Sequence, residues 1–440
     1  MAYEYNDNVG AASGSSTTTT ADFNGMLKKY LPYKMLIAEV IKRNYVMQKI
    51  NKLTSYKGGV GELAFQAGAA SSFRYGKLVA SAKITQTRVV KGFLKGYKEI
   101  WGAMKFNYHD LQRHGDMEKS FLANLLTEIP RFTEALSALI SLQILNGPTL
   151  AVVTGIDNIA DGKIVVDKPQ LLEFGQLVQI GTTAPHKYEG YVSAINMNTK
   201  EVTITSDMAL STPINLATVI VGDELRIEDG FDSSLHFSSL RDQLLSFENV
   251  GAAKGSEFLF TLKKSMYPFL QAYNHSGANI AVGNVLGPIF DAYASSKEIG
   301  KLGNVSDVIM SYKWFSAAMK ELEIPIAGTS VGTGRQFTAQ DKVVNAFGFT
   351  SITVASVDGG APLKLVAVNE MRDDIMLGID WSTIDLHSNG MIERVVSPDG
   401  NEFYTERTPD GHVYISDIRF FGEVVCKMPC YNFVIHSIPA

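Results

Sequence analysis

One long helical pattern, preceded by an extended glycine-punctuated segment, most constrains how this chain can fold. From Asp116 to Asn146 apolar residues recur at spacings of three and four, and Gly147-Pro148 ends the pattern. A helix of this length measures about 45 Å, which is long for a globular protein. The defining apolar residues are Phe121, Leu122, Leu125, Leu126, Ile129, Phe132, Leu136, Leu139, Ile140 and Ile144. We therefore expect this helix to be the spine of the fold.

The segment before the helix, residues 60–111, is predicted to be a two-stranded β-ribbon. Strand-like stretches such as Lys83–Val90 and Ile100–Phe106 alternate with glycines. The segment holds too few apolar residues to bury itself, so the sequence predicts that another surface completes it. Its aromatic residues alternate with Lys and Arg, an arrangement that could stack nucleic-acid bases but more often packs on a protein neighbour.

Charge is distributed unevenly along the 440 residues, whose net charge is only −5. Residues 24–114 hold 17 Lys or Arg against 4 Asp or Glu, whereas residues 115–440 hold 23 against 38. This distribution indicates that the basic segment 24–114 of one molecule contacts the acidic remainder of another molecule, or a polyanion. A solvated basic hairpin beside an acidic body is the alternative interpretation.

The rest of the chain predicts an α+β protein with a small β-barrel after the spine helix. Residues 1–21 are polar and are predicted to be a flexible arm, and a helix is expected over 31–50. Helices and strands are mixed after residue 229. The six strands of the barrel are expected at Leu150–Val153, Lys163–Val166, Leu177–Ile180, Tyr191–Ile195, Val202–Thr205 and Thr218–Val221.

No catalytic or cofactor site emerges from the motifs. His109 and His114 lack further metal ligands at suitable spacing. Cys426 and Cys430 are best interpreted as buried free thiols, and Gly332–Phe337 lacks the Lys-Ser/Thr ending of a phosphate loop. We predict no enzyme activity, cofactor or metal. The first 25 residues have no apolar core and no apolar run is long enough to span a bilayer, so synthesis in a reducing cytoplasm is expected.

The order of these elements resembles the major capsid proteins of tailed bacteriophages, which share the Hong Kong 97-type fold with encapsulin cages. The resemblance covers nearly the whole chain and rests on architecture: a polar arm, a long basic two-stranded loop, a spine helix and an α+β body ending in strands. It implies an N-terminal arm and short helix at 1–58, an extended β loop at 59–110 and the spine of a peripheral domain at 111–148. An inserted β-barrel-like domain at 149–228 departs from the minimal fold. A connector at 229–249, an axial domain at 250–395 and C-terminal strands of the peripheral domain at 396–440 complete the division.

The resemblance also implies a function and its partners. Hexamers and pentamers would form a virion shell in the host cytoplasm, enclosing double-stranded DNA through weak non-specific contacts and touching no membrane. A separate scaffolding protein, a portal and decoration proteins would be the partners. The extended loop would reach a neighbouring subunit through Arg74, Tyr75, Lys77, Lys83, Arg88, Lys91 and Lys95.

Other functions remain open at this point. An encapsulin-type compartment would share the fold and enclose enzymes in place of DNA. A tail or decoration protein would use the barrel to bind a partner. A nucleic-acid-binding module would use the basic ribbon, and its binding would weaken steeply with salt.

Overall fold

The computed structural model describes most of the body of the chain. The described residues are 40–42, 44–54, 61–67, 88–94, 98–107, 117–158, 160–182, 185–232, 235–247, 256–300, 303–323, 351–354, 362–388, 392–394, 404–408 and 411–439. They combine helices, two six-stranded sheets, two hairpins and a closed barrel, as expected of an α+β chain.

The elements are numbered along the chain. The helices are α1 (Tyr45–Lys49), α2 (Met117–Leu145), α3 (Leu240–Leu244), α4 (Leu286–Gly300) and α5 (Tyr312–Glu323). The strands up to the barrel's end are β1 (Asn51–Leu53), β2 (Gly61–Ala67), β3 (Arg88–Leu94), β4 (Lys98–Asn107), β5 (Thr149–Asn158), β6 (Lys163–Val166), β7 (Leu177–Gly181), β8 (Tyr188–Asn196), β9 (Glu201–Thr205) and β10 (Glu224–Ile227). The later strands are β11 (Phe258–Leu259), β12 (Leu262–Lys263), β13 (Tyr273–Ser276), β14 (Asp307–Met310), β15 (Ser351–Val354), β16 (Leu363–Ala367), β17 (Ile375–Ile379), β18 (Ile384–His387), β19 (Ile392–Arg394), β20 (Tyr404–Thr408), β21 (Gly411–Cys426) and β22 (Phe433–His436).

The predicted spine helix is confirmed as α2, which the structure describes from Met117 to Leu145. Its last turns are buried on nearly every side, since Ile140 and Ile144 pack into the main core while Leu142 packs into the barrel. The helix therefore lies between the body and the barrel. Of the predicted helix over 31–50, residues 31–39 and 43 lie outside the described residues. The described remainder is interrupted at Asn44, which has an extended backbone and whose side chain caps α1 by accepting the N–H of Met47.

The first sheet is organised around β21, a strand of 16 residues. Its neighbours are β4, β18, β19 and β20, and β1 joins the edge of β18 in parallel. Hydrophobic stretches of the sequence at 412–415 and 419–426 would by themselves indicate two separate strands. The structure has one, because β4 pairs continuously from Val413 to Gly422 and holds the polar residues between them in the ladder.

The second sheet has the order β13-β22-β17-β14-β16-β15. Alternate residues of its strands face opposite sides: Val308 and Met310 pack with α4 and α5, whereas Ile309 packs into the main core with α2. The sheet is thus covered on both faces, and its strands are accordingly rich in apolar residues.

The last strand of the chain does not stay in the sheet of the strand before it. β22 lies inside the second sheet, where Phe433 and Val434 are both buried, one on each face. β18 and β19 belong to the first sheet together with β21. The chain therefore passes from the second sheet to the first after β17 and returns to the second at β22. The predicted domain boundaries remain a prediction.

The barrel has the closed order β10-β5-β6-β9-β8-β7. Five of its strands lie where the sequence predicts them, but the predicted strand Thr218–Val221 is wrong. Ile220 and Val221 are exposed, and the carboxylate of Asp223 accepts the N–H of Ile220 at 2.9 Å. This contact closes a turn that includes Gly222, whose φ is +97°, and β10 begins directly after the turn.

Candidate assembly interface

The base of the ribbon, formed by β2 and β3, is fixed to the body of its own chain. The two strands pair antiparallel from Gly61 with Leu94 to Ala67 with Arg88. The N–H of Phe93 donates to the carbonyl oxygen of Phe260 at 2.9 Å. The apolar side chains that form this core are Leu63, Phe65, Leu94, Leu259, Leu262, Leu270 and Val425. The surface that completes the base of the ribbon therefore belongs to the same chain, and contact of the ribbon with a neighbouring copy remains a prediction.

Gly92 allows this base to pack closely. A Cβ atom at this position would lie 2.7 Å from the ring of Phe65 and 2.9 Å from the carbonyl oxygen of Phe260. Because one of these neighbours is backbone, a side chain could be accommodated only if the strand moved. The glycine that marks the ribbon in the sequence thus serves tight packing of β3 on the β11–β12 hairpin.

Two of the seven predicted contact residues lie in described strands. Lys91 is exposed and forms an ion pair of 2.8 Å with Glu62, also exposed, on the neighbouring strand. Arg88 is the first residue of β3 and pairs in register with Ala67. Arg74, Tyr75, Lys77, Lys83 and Lys95 lie outside the described residues. The assignment of these seven residues to an intersubunit contact remains a prediction.

Glu423 is a buried carboxyl group beside the ribbon base, and sequence reasoning missed it. It is 5% exposed and borders a cavity of about 450 Å³ together with Phe93, Leu94 and Lys98. Its Oε1 accepts the backbone N–H of Ser238 at 2.8 Å. Burial raises the pKa of Glu423 to about 7, although the Ser238 N–H and the charge of Lys98 act in the opposite direction.

A network of charged side chains joins the barrel to the body. On the barrel, Lys168 forms an ion pair of 3.0 Å with Asp373, and both side chains are largely buried. Arg372 of the body lies 3.7 Å from Glu224 of β10 and 2.9 Å from Asp374. Removing one partner of such a pair destabilises the protein, because the charge of the other partner stays buried without compensation. The network fixes how the barrel sits on the body.

The electrostatics at Glu224 follow from the same network. Burial alone would raise the pKa of its carboxyl group, but the charges of Arg226 and Arg372 hold the pKa below its ordinary value. Arg226 donates to Glu224 and also stacks over the ring of Phe231, with its guanidinium carbon 4.4 Å from the ring centroid. The carboxyl group of Glu224 is therefore ionised and paired with arginine at neutral pH.

The described residues hold no cluster of three or more His, Cys, Asp or Glu side chains that could bind a metal ion. Cys426 and Cys430 are confirmed as buried free thiols, and burial raises their pKa values to about 12 and about 11. His109, His114 and Gly332–Phe337 lie outside the described residues. Across the same part of the chain, no helix is long and apolar enough to cross a bilayer.

Comparisons with known proteins give structural similarities only. No protein-family model and no curated protein matches the chain. The capsid of a native GTA particle is 9% identical, with a TM-score of 0.43, covering 91% of this chain and 90% of that one. The cyanophage A-1(L) capsid is 11% identical, with a TM-score of 0.43, covering 91% and 92%.

A third similar structure is the procapsid of satellite phage P4 with its size determination protein. It is 11% identical, with a TM-score of 0.37, and the similarity covers 93% of this chain and 100% of that one. All three structures are of capsids or procapsids.

Proposed function

We propose that this protein is the major capsid protein of a tailed phage, forming hexamers and pentamers that build the head shell around double-stranded DNA. The observation that carries the proposal is the ribbon. Its base is held by a core within the chain, and its strands lead into residues 68–87, which include Arg74, Lys77 and Lys83 but no acidic residue. A fixed base with a basic extension suits an arm that reaches an acidic neighbour.

The charge distribution supports contact between copies. The basic ribbon of one subunit would lie on the acidic body of the next, and each contact contributes little alone. Many such contacts in a closed shell act together, so weak pairs give a stable particle that can still correct errors while assembling. The acidic balance of residues 115–440 also suits a shell that must not bind its packaged DNA tightly.

A structural role is further supported by the character of the buried polar groups. Two of those in the described residues tie elements together: the Lys168–Asp373 pair joins barrel and body, and Glu423 joins β21 to the segment before α3. Neither of them converges on an open cleft with a nucleophile and a base. The proposed partners are scaffolding, portal and decoration proteins. Assembly would take place in the host cytoplasm, and the barrel is a candidate surface for binding a decoration protein.

Electron microscopy tests the proposal. The purified protein, alone and co-expressed with a scaffolding protein from the same genome, should form shells or rings of five and six subunits in negative stain. A protein that stays strictly monomeric at high concentration in both cases would contradict the proposal. Double-stranded DNA inside native particles would separate a phage head from an enzyme-holding compartment of similar design.

A further inference from the structure

A cavity of about 450 Å³ lies where the ribbon base, the β11–β12 hairpin and β21 meet. Glu423 of β21 lines this cavity, and its side chain is buried there. The other lining residues are mainly apolar: Phe93, Leu94, Lys98, Ser238, Phe258, Phe260 and Thr261. Ionisation of the carboxyl group would therefore place a charge among apolar side chains, in a space large enough to admit water.

The ribbon side of this cavity can move more readily than the β21 side. The strand β21 is held by β4, β18, β19 and β20, and Glu423 lies opposite His387 in the ladder with β18. The ribbon base is a sheet of two strands, joined to the hairpin by the hydrogen bond from Phe93 to Phe260 and by a small apolar core. Two-stranded sheets are only marginally stable by themselves. Local opening is thus expected at the ribbon base before the sheet around β21 opens.

The sheet that carries Glu423 also supplies charged and titratable neighbours. Lys98, on β4, has a positive charge that favours ionisation of the Glu423 carboxyl group. On β18 the neighbours on the same face are His387, directly opposite, and Asp385, which forms an ion pair with Lys427. Burial lowers the pKa of His387, so its ring is neutral at pH 7 and above.

The other elements around the cavity bring charges that are already paired, or a neutral ring. Lys263 of the hairpin pairs with Glu257 at 2.9 Å, and Lys91 of β3 pairs with Glu62 at 2.8 Å. In the segment before α3, burial lowers the pKa of His236, which is therefore also neutral at pH 7. The buried carboxyl group, whose pKa is raised to about 7, is thus the group that changes its charge near neutral pH.

We propose that Glu423 is a pH-sensitive switch that controls how tightly the ribbon base packs on the β11–β12 hairpin. While the carboxyl group is protonated, β3 stays packed on the hairpin. Ionisation draws water into the cavity, because a carboxylate requires hydration, and the ribbon base opens while the sheet around β21 stays folded. The switch operates within one chain and does not depend on the proposed shell function.

The direction of the pH dependence follows from the two states of the carboxyl group. In the open state the group is hydrated, so its pKa returns towards the ordinary value near 4.3, whereas in the packed state the pKa is about 7. Opening therefore releases a proton at pH values between these two. The open population rises with pH up to about 7 and levels off above it.

Hydrogen–deuterium exchange of the unassembled full chain tests the switch. Exchange rates are measured at pH 5.5 and pH 7.5 and divided by the intrinsic rates at the same pH. The peptide that contains Phe93 should lose protection by about twentyfold between these pH values. A barrel peptide that contains β6 should keep its protection. If the protection of the ribbon base does not change with pH, the inference is overturned.

Substitution of the carboxyl group provides the matched comparison. Glu423→Gln stays neutral, so the ribbon base should be equally protected at both pH values, and a dependence that persists overturns the inference. Glu62→Gln, at an exposed ion pair, should keep the profile of the natural protein. If Glu423→Gln does not fold, Lys98→Gln replaces it. Loss of that positive charge raises the pKa of Glu423 further, so protection should level off at a higher pH; an unmoved profile overturns the inference.

Discussion

Ser238 donates its backbone N–H to the carboxylate of Glu423 at 2.8 Å, joining the segment before α3 to the long strand beside the ribbon base. The carboxyl group is almost fully buried, and its pKa is raised to about 7. In the unfolded chain a glutamate titrates near pH 4.3. Stability from the protonated group is therefore present at low pH and is lost as the pH rises through about 7.

Glu423→Gln should remove this pH dependence. Between these two pKa values the unfolded state ionises first, so the free energy of unfolding of the natural protein falls by about 1.4 kcal/mol per pH unit from this group. The variant keeps an acceptor for the N–H of Ser238. Its free energy of unfolding, taken relative to that of the natural protein, should increase by about 3 kcal/mol from pH 4.5 to pH 8. Urea unfolding of unassembled protein at several pH values measures the difference. Glu62→Gln, at an exposed site, is the control; parallel profiles for the natural protein and Glu423→Gln would contradict the assignment.

Gly92→Ala should loosen the ribbon base. The new methyl group would meet the ring of Phe65 and the backbone of Phe260, so we expect a loss of about 1–3 kcal/mol in the free energy of unfolding. Gly155→Ala is the matched control, because a Cβ there meets Val165 at an ordinary 3.5 Å. Denaturant unfolding of both variants provides the comparison. Equal stability of the two would show that β3 does not pack on the β11–β12 hairpin as described.

Sequence patterns predicted most elements because their signals are local. The apolar spacing of α2 and the alternation in β5 to β9 are set by residues close together in the chain. The misplaced strand at Thr218–Val221 shows the limit: its residues favour β structure, yet Asp223 closes a turn there. The place of β22 in the second sheet could not be predicted, since its partners β13 and β17 lie some 60 to 160 residues earlier.

The candidate interface was predicted less completely than the fold. The basic charge of the ribbon is visible in the sequence, but its packing partner at residues 258–270 is not, because that contact depends on tertiary structure. Glu423 had a usable signal: it is the one charged residue in the apolar run from Phe420 to Cys426, which indicates a buried charge with a special environment. The charged network between the barrel and the body had no signal in the sequence, since Lys168 and Asp373 are 205 positions apart.

Lys168→Ala should destabilise the protein far more than a comparable change on the barrel surface. The substitution leaves Asp373 buried without its cation, which costs about 3–5 kcal/mol. Lys163→Ala breaks the more exposed pair with Glu201 and should change the stability far less, because solvent screens that pair. Thermal or urea unfolding distinguishes them. Similar losses for both variants would mean that the barrel is not fixed to the body through Lys168.

Cys426 and Cys430 should be unreactive in the folded protein. Burial raises both thiol pKa values, to about 12 and about 11, so the reactive thiolate is scarce at pH 8. A thiol reagent such as DTNB should label both residues only as fast as the chain unfolds, and at once in denaturant. Rapid labelling of native protein would show that this end of β21 opens far more readily than its packing indicates.

The most direct test of the central claim removes the ribbon tip and leaves its base intact. Because Ala67 and Arg88 are paired, Asn-Gly can replace residues 68–87 as a two-residue hairpin turn. Sedimentation velocity and negative-stain microscopy would compare this variant with the full chain under identical conditions. We predict that the full chain forms capsomers or shells, and that the variant keeps the same circular dichroism and unfolding midpoint but sediments as a monomer. Normal shells from the shortened variant would contradict the claim that the ribbon joins one subunit to the next.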